Sequence, residues 1–327
     1  MSGAPASYKR ILLTGGTGFV GGWLAPALAE AWPNAERLLV RRPGERVSHS
    51  GWSNADAEIT DAAAIDSIVA GFRPDLVLHL AAQASVGAGL KDAEATWRIN
   101  FCGSLELATS CARYAPDTTF FFVSSSEVYG WSFREGPATE ETALRPVSSY
   151  AHAKAAAEAM LTDVLPQTAR LVIVRPFNHT GPGQSPGNFV LSSFAAQIAA
   201  IEQGRQTPEL HVGNLDAERD FLHVGDVCAA YIGLLRAAPA LPRGGVYNVA
   251  SGARYRIGDL VEKFRAVSRV PFEPRVDAGR LRPSDIPLAI GSAEKLSAAT
   301  GWRPAIAIDE ILGSLLDYWR RQGAPSS

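Results

Sequence analysis

The chain has 327 residues, 46% hydrophobic and 20% charged, enough to bury a substantial core as two lobes or one enlarged domain. Lys and Arg number 31 against 33 Asp and Glu, a formal charge of -2, so no global field recruits nucleic acid or an anionic membrane. Cys102, Cys111 and Cys228 form no Cys-x-x-Cys pair, and the apolar run after Arg10 is too short for a secretory signal or a membrane span. A cytoplasmic protein with reduced thiols is expected.

In chain order, an apolar strand over 11–14 ends in Gly15-Gly16-Thr17-Gly18-Phe19-Val20-Gly21-Gly22, and a helical stretch through Leu24, Leu28 and Ala31 follows. Pro26 falls inside that stretch and predicts a kink or a late helix start. Further runs rich in β-branched or aromatic residues over 37–40, 76–80, 119–123, 171–174 and 246–249 read as strands buried on both faces. Helical segments fall between them over 62–69, 97–114, 151–165 and 226–235, with amphipathic helices over 257–267 and 308–319. This alternation predicts an α/β fold, a doubly wound parallel sheet of Rossmann type with a smaller α/β C-terminal lobe. The loop Gly181-Pro182-Gly183-Gln184-Ser185-Pro186-Gly187 marks a change of texture. The expected division is 1–176 with 221–251 returning to it, and a second lobe of 177–220 and 252–327.

Gly16-Thr17-Gly18-Phe19-Val20-Gly21 fits the dinucleotide formula and stands where that formula needs to stand, between a strand and a helix. Glycines let the backbone turn tightly, approach a pyrophosphate and present a helix N-terminus to it. The second strand ends in Arg41-Arg42, where NAD-binding chains usually offer an acid to the ribose hydroxyls. Two guanidiniums suit a 2′-phosphate, so NADP(H) is expected ahead of NAD(H), against the alternative of a solvated basic loop.

Tyr150 and Lys154 lie four apart, which on a helix puts phenol and ammonium on one face, where the cation favours the phenolate. Upstream, Ser124-Ser125-Ser126-Glu127 closes a strand, and its hydroxyls can serve chemistry or merely cap the next turn. His79, His152, His179, His211 and His223 show no metal-ligand spacing, so no metal is expected.

Thr14-Gly15-Gly16-Thr17-Gly18-Phe19-Val20-Gly21, His79-Leu80-Ala81-Ala82-Gln83, Asn100, Ser124-Ser125-Ser126-Glu127-Val128-Tyr129-Gly130 and Tyr150-x-x-x-Lys154, taken in order, resemble the extended short-chain dehydrogenase/reductase family. The resemblance implies that Tyr150 is the general acid/base, that Lys154 binds the nicotinamide ribose and lowers the Tyr150 pKa, and that Ser125 hydrogen-bonds the reacting oxygen. It also implies that Glu58, Ile59, Leu80, Ala81, Ala82, Gln83 and Asn100 line the cofactor beside the glycine turn and the two arginines.

Arg175-Pro176-Phe177-Asn178-His179-Thr180-Gly181-Pro182-Gly183-Gln184, the stretch 213–220 and Arg282-Pro283-Ser284-Asp285 are similar to the GDP-sugar branch of that family, shared by 4,6-dehydratases and 4-keto reductases. Arg219 and Arg282 would then grip the diphosphate, with Ser85, Ser126, Glu127, Asn178, Asn188, Phe189, Val190 and Asp285 along the rest of the substrate. For Arg219 the competing reading is a local ion pair with Asp216 or Asp220. Glu127 also stands where a dehydratase needs its carboxylate base. Dehydratases carry a Thr-Gly-x-x-Gly-Gln-Asp-Gly turn, whereas Gly18-Phe19-Val20-Gly21 resembles the reductase form. The resemblance therefore implies NADPH-dependent reduction of the C4 keto group of GDP-4-keto-6-deoxy-D-mannose to GDP-D-rhamnose. The alternatives are GDP-mannose 4,6-dehydration, nucleotide-sugar 4-epimerisation and a catalytically idle NADP(H)-binding sensor. Helices over 93–114 and 151–165 resemble the pair that forms the family's four-helix dimer interface, and a homodimer is expected.

Overall fold

The computed structural model describes residues 6–83, 92–281 and 286–322. Strands β1 (Arg10–Thr14), β2 (Glu36–Arg41), β3 (Ser53–Asp56), β4 (Leu76–His79), β5 (Thr119–Val123), β6 (Arg170–Pro176) and β7 (Gly245–Val249) form a seven-stranded parallel sheet. Its order is β7-β6-β5-β4-β1-β2-β3, so the chain moves one way from β1 to β2 and the other way from β1 to β4. The crevice at that reversal, beyond the strand ends, is where a doubly wound sheet receives its ligand.

Helices α1 (Phe19–Ala31), α2 (Ala62–Phe72), α3 (Gly103–Tyr114), α4 (Ser149–Val164), α5 (Val190–Glu202), α6 (Val224–Ala237), α7 (Ile257–Val267) and α8 (Ile308–Gln322) complete the main framework. Alternation along each strand sends neighbours to opposite faces. Leu13 and Phe121 join a core with Leu24 and Leu28 of α1 and Val227 and Leu234 of α6. Leu12, Phe120 and Phe122 join the other, with Ile65 of α2, Leu107 of α3 and Leu161 of α4. A third core, with Leu191, Phe194, Leu210, Leu260, Phe264 and Leu315, holds α5, α7 and α8 together. Leu296, on the short helix Glu294–Thr300, packs into the sheet-side core with α6.

Helix α1 begins at Phe19, so the late start expected from Pro26 does not occur; the proline sits inside the helix and withholds the N–H that would meet the Gly22 carbonyl. The helix expected over 97–114 is three pieces: Ala93–Trp97, a π-helical turn Arg98–Cys102, and α3. A π turn widens the helix by one residue, and such turns recur at functional sites.

Candidate active site

The glycine turn is built by close approach. Gly15 has φ +71°, and a Cβ there would lie 2.5 Å from the Ala81 nitrogen. At Gly21 a Cβ would lie 2.4 Å from the Gly16 Cα and 2.5 Å from the Gly15 carbonyl oxygen. Gly18 is the N-cap of α1 with no side-chain cap, and the first turn holds no acid. The leading N–H groups of α1 therefore have no side-chain acceptor at the cap, and together with the glycine cradle they fit a pyrophosphate.

Beside this turn, the end of β4 is tied to β1. Leu80 N donates to Thr14 O at 3.2 Å, and Ala81 N donates to Thr14 Oγ1 at 3.3 Å. His79 is fully buried, with Nδ1 2.7 Å from Thr14 Oγ1 and Nε2 2.9 Å from Ser104 Oγ. Burial pushes its pKa down to about 3, with Lys154 adding to the effect, so the ring is neutral and pins β1, β4 and α3 together. Asn100, in the π turn, accepts from Gln83 N at 2.8 Å and donates to Gln83 O at 3.4 Å, which fixes the 80–83 segment, Ala82 included, against the helix. Ile59 packs where a Cβ on Gly103 would come within 2.7 Å. Glu58 is exposed, and its charge raises the Arg42 pKa alongside the larger effect of Glu45. At the end of β2, Arg41 Nε pairs with Asp56 Oδ1 at 2.5 Å, and Arg42 pairs with Glu45.

Helix α4 starts cleanly because Ser148 accepts from Ala151 N at 3.2 Å. Its buried face alternates alanines, Ala151, Ala153 and Ala157, with Tyr150, Lys154 and Glu158, so the backbone lies near the sheet and the long side chains reach its ends. Ser125 caps the following 3-10 segment by accepting from Glu127 N at 3.2 Å, and it lies near enough to the Tyr150 phenol to lower its pKa. The capping and chemical readings of Ser125 are thus compatible. Burial raises the Tyr150 pKa to about 12, against the lowering effect of Ser125 and with a further rise from Glu127. Lys154 Nζ donates to Val123 O at 2.7 Å and stands 4.7 Å from the centre of the Phe122 ring. Burial lowers its pKa to about 7, with Glu158 opposing. The expectation that Lys154 depresses the phenol is thus not the balance observed: burial dominates at both residues and favours neutral phenol.

Below this pair lies a buried network centred on Glu158 and Arg175. Arg175 Nε and Nη2 reach Glu158 Oε1 and Oε2 at 3.0 and 2.6 Å, and Ser124 Oγ donates to Glu158 Oε1 at 2.5 Å. Arg175 Nη1 donates to Tyr129 OH at 3.0 Å, and Tyr129 donates to Asn248 Oδ1 at 2.7 Å. Glu158 continues the four-residue spacing from Tyr150 through Lys154, the one sequence signal that points to it.

The expected substrate residues are spread around the second layer. Asn178 is on a strand, Asn178–Thr180, that pairs parallel with Phe221–His223. Asn188, Phe189 and Val190 lead into α5, with Phe189 its N-cap, and Ser126 is buried in the first turn after β5. Arg219 Nη1 donates to Glu218 O at 2.9 Å, while Asp216 pairs with Arg256 and Asp220 accepts from the Ser251 and Gly252 amides at 2.8 and 2.9 Å. Ser85, Arg282 and Asp285 lie outside the described residues. The two halves meet at α1, where Phe19 stacks on His179 with ring centres 6.3 Å apart and Trp23 Nε1 donates to Pro182 O at 3.1 Å. A cavity of about 610 Å³ opens beside the Arg219 strand, lined by Gly213, Asn214, Leu215, Asp216, Arg256, Val276 and Leu281. Among the described residues, no group of three or more His, Cys, Asp or Glu side chains could hold a metal ion.

A doubly wound sheet with this turn and this Ser-Tyr-Lys arrangement defines an extended short-chain dehydrogenase/reductase. Residues 12–315 match the model of the GDP-mannose 4,6 dehydratase family, and the chain belongs to that family. GDP-6-deoxy-D-mannose reductase of Pseudomonas aeruginosa is 35% identical over 95% of this chain and 97% of its own. The structure of RMD from Pseudomonas aeruginosa complexed with NADPH superimposes with a TM-score of 0.81 at 33% identity, covering 96% of this chain and 99% of that one. UDP-glucose 4-epimerase of Thermus thermophilus complexed with NAD gives a TM-score of 0.82 at 28% identity, over 97% and 100% of the two chains.

Proposed function

We propose that this protein is an NADPH-dependent reductase that converts the C4 ketone of GDP-4-keto-6-deoxy-D-mannose to the alcohol of GDP-D-rhamnose. When bound, the cofactor supplies the hydride delivered to C4. Tyr150 gives its phenolic proton to the developing alkoxide, and Ser125, beside that phenol, stabilises the same oxygen. Lys154, held by the Val123 carbonyl, is positioned by the strand end beside Tyr150 and binds the ribose of the cofactor. Gly15 to Gly21 and the start of α1 hold the pyrophosphate, and Arg41 and Arg42 serve the 2′-phosphate. Ser126, Glu127, Asn178, Asn188, Phe189, Val190 and Arg219 belong to the sugar-nucleotide side, with Ser85, Arg282 and Asp285 completing it.

The observation that carries the direction is the likeness to GDP-6-deoxy-D-mannose reductase, 35% identical over 95% of this chain, and a phenol that burial keeps neutral at Tyr150 suits that direction. Reduction of a ketone begins from a phenol that donates a proton. Dehydration and 4-epimerisation begin from a phenolate that removes one from the C4 hydroxyl. Purified protein with NADPH should consume the 4-keto sugar with loss of nicotinamide absorbance and leave GDP-mannose untouched. Water loss from GDP-mannose without net cofactor turnover would establish the dehydratase instead.

We also infer a homodimer, supported by the 39% exposed Trp97 beside Phe101 on the outer helix, with ring centres 6.1 Å apart. Light scattering tests it, a monomer mass counting against it. A cytoplasmic location suits three free cysteines, and no described helix is long and apolar enough to cross a membrane.

A further inference from the structure

The loop between β2 and β3 folds back over the glycine turn. His49 Nε2 is 2.8 Å from Gly16 O, Arg41 Nη1 donates to Val47 O at 3.3 Å, and Glu45 N donates to Arg42 O at 3.1 Å. At the loop's tip, Glu45 Oε1 accepts from both Nε and Nη2 of Arg42, at 2.9 and 2.5 Å. The Thr17 side chain of the glycine turn helps to lower the Glu45 pKa, so the carboxylate lies between the end of β2 and that turn. Arg42 is 71% exposed and Glu45 21% exposed, so the anion is tucked inward and the cation lies over it.

That bridge is where the cofactor reading puts the adenosine ribose and its 2′ substituent: between the glycine cradle, whose close contacts fit a pyrophosphate, and the arginines that end β2. A carboxylate there makes the interaction with Arg42 that a phosphate oxygen would make. For a 2′-phosphate to take the Nε–Nη2 edge of Arg42, Glu45 must leave that edge, and a phosphate on the remaining donors still meets the repulsion of the nearby carboxylate. A ribose carrying a free 2′-hydroxyl meets no such conflict, since Glu45 can accept from it.

We propose that Glu45 is a cofactor-selectivity residue: it occupies Arg42 in place of the 2′-phosphate, weakens NADP(H) binding relative to an uncontested arginine, and keeps NAD(H) acceptable to the same site. The inference rests on the NADP(H) reading of the arginine pair. Arg42 alone would make the site selective for the phosphorylated cofactor. Arg42 under Glu45 makes a site of narrower preference, and the β2–β3 loop rather than the glycine turn sets that preference.

The test is calorimetric titration of the full-length protein with 2′,5′-ADP and with 5′-AMP, which separate the phosphate from the rest of the ligand and need no turnover. Glu45→Gln keeps the size and hydrogen-bonding reach while removing the charge. It should tighten 2′,5′-ADP roughly two- to fivefold, the range of an exposed ion pair, and leave 5′-AMP unchanged or weaken it. The gain should shrink as salt is raised. Arg42→Ala should weaken 2′,5′-ADP and abolish the benefit of Glu45→Gln in the double variant. If the wild-type protein binds 2′,5′-ADP and Glu45→Gln binds it equally or more weakly, Glu45 does not contest the phosphate and the proposal is overturned while the NADP(H) reading stands. If no variant binds 2′,5′-ADP, both fall. An unchanged thermal midpoint confirms that the variants report binding rather than folding.

Discussion

Glu158→Gln removes one charge from a pair almost entirely out of water: the side chains of Arg175 and Glu158 are 6% and 7% exposed. Burial works against the Arg175 charge and the Glu158 carboxylate outweighs it, so the guanidinium pKa is raised. Without the carboxylate that charge is stranded among Tyr129, Ser124 and the strand ends, and the expected loss of stability is about 3–5 kcal/mol. Lys154 is affected as well. Its pKa is lowered to about 7 by burial, and Glu158 is the charge that opposes the drop. Near pH 7 Lys154 is poised between its charged and neutral forms, and losing the opposing Glu158 charge shifts it toward the neutral one. Two assays separate the effects. Urea unfolding should show the large loss in Glu158→Gln and most of it restored in the Glu158→Gln/Arg175→Met double variant, where no charge is left unpaired. The pH profile of kcat/KM should decline in the wild type as pH rises through about 7, where Lys154 loses its proton, and the variant's decline should move to the acid side. Tyr150 stays protonated until about 12 and contributes no fall in that range. Stability within about 1 kcal/mol of wild type together with an unmoved profile would refute the reasoning.

Three further outcomes are expected. Gly15→Ala forces a Cβ against the Ala81 nitrogen at a φ of +71°, so backbone strain of about 1–3 kcal/mol and more than tenfold weaker NADPH binding should appear in melting and titration experiments. Burial holds the folded pKa of His79 near 3, against 6.5 for an ordinary exposed imidazole, so the unfolded chain takes up the proton first. Its stabilising effect is complete above pH 6.5 and is lost as pH falls toward 3, about 2 kcal/mol by pH 5, and denaturant midpoints should show that loss shrinking in His79→Gln. Tyr150→Phe should lower kcat by about two to four orders of magnitude while NADPH still binds within about threefold, measured by nicotinamide fluorescence; unaltered turnover would remove Tyr150 from the chemistry.

The strands were readable where the chain alone sets their burial: Phe120, Phe121 and Phe122 alternate between two hydrophobic faces, and a run apolar on both sides has few other fates. Ser53–Asp56 escaped because an edge strand with one neighbour carries polar residues and shows no such run. Helix α5 follows a glycine- and proline-rich loop, and the sequence marks only its first residue, Val190, for the nucleotide. Spacing within one helix placed Tyr150 and Lys154 together, and motif order supplied Ser125. The partnership of Glu158 with Arg175 and Ser124 joins a helix to two strand ends, and no local period encodes that. The protonation balance was equally hidden. A Lys four residues from a Tyr suggests a lowered phenol, yet the alanines that let α4 approach the sheet also remove water from both groups, and desolvation outweighs the charge.

Hydride delivery to C4 of a GDP-linked 4-keto sugar is tracked most directly by isotope transfer. Incubation with GDP-4-keto-6-deoxy-D-mannose and NADPH carrying deuterium at the transferable position of the nicotinamide should give GDP-D-rhamnose with a single deuterium at C4, located by NMR, and one NADPH oxidised per sugar. A product without deuterium at C4, or turnover of GDP-mannose with no net oxidation of NADPH, would rule out a C4 ketone reductase.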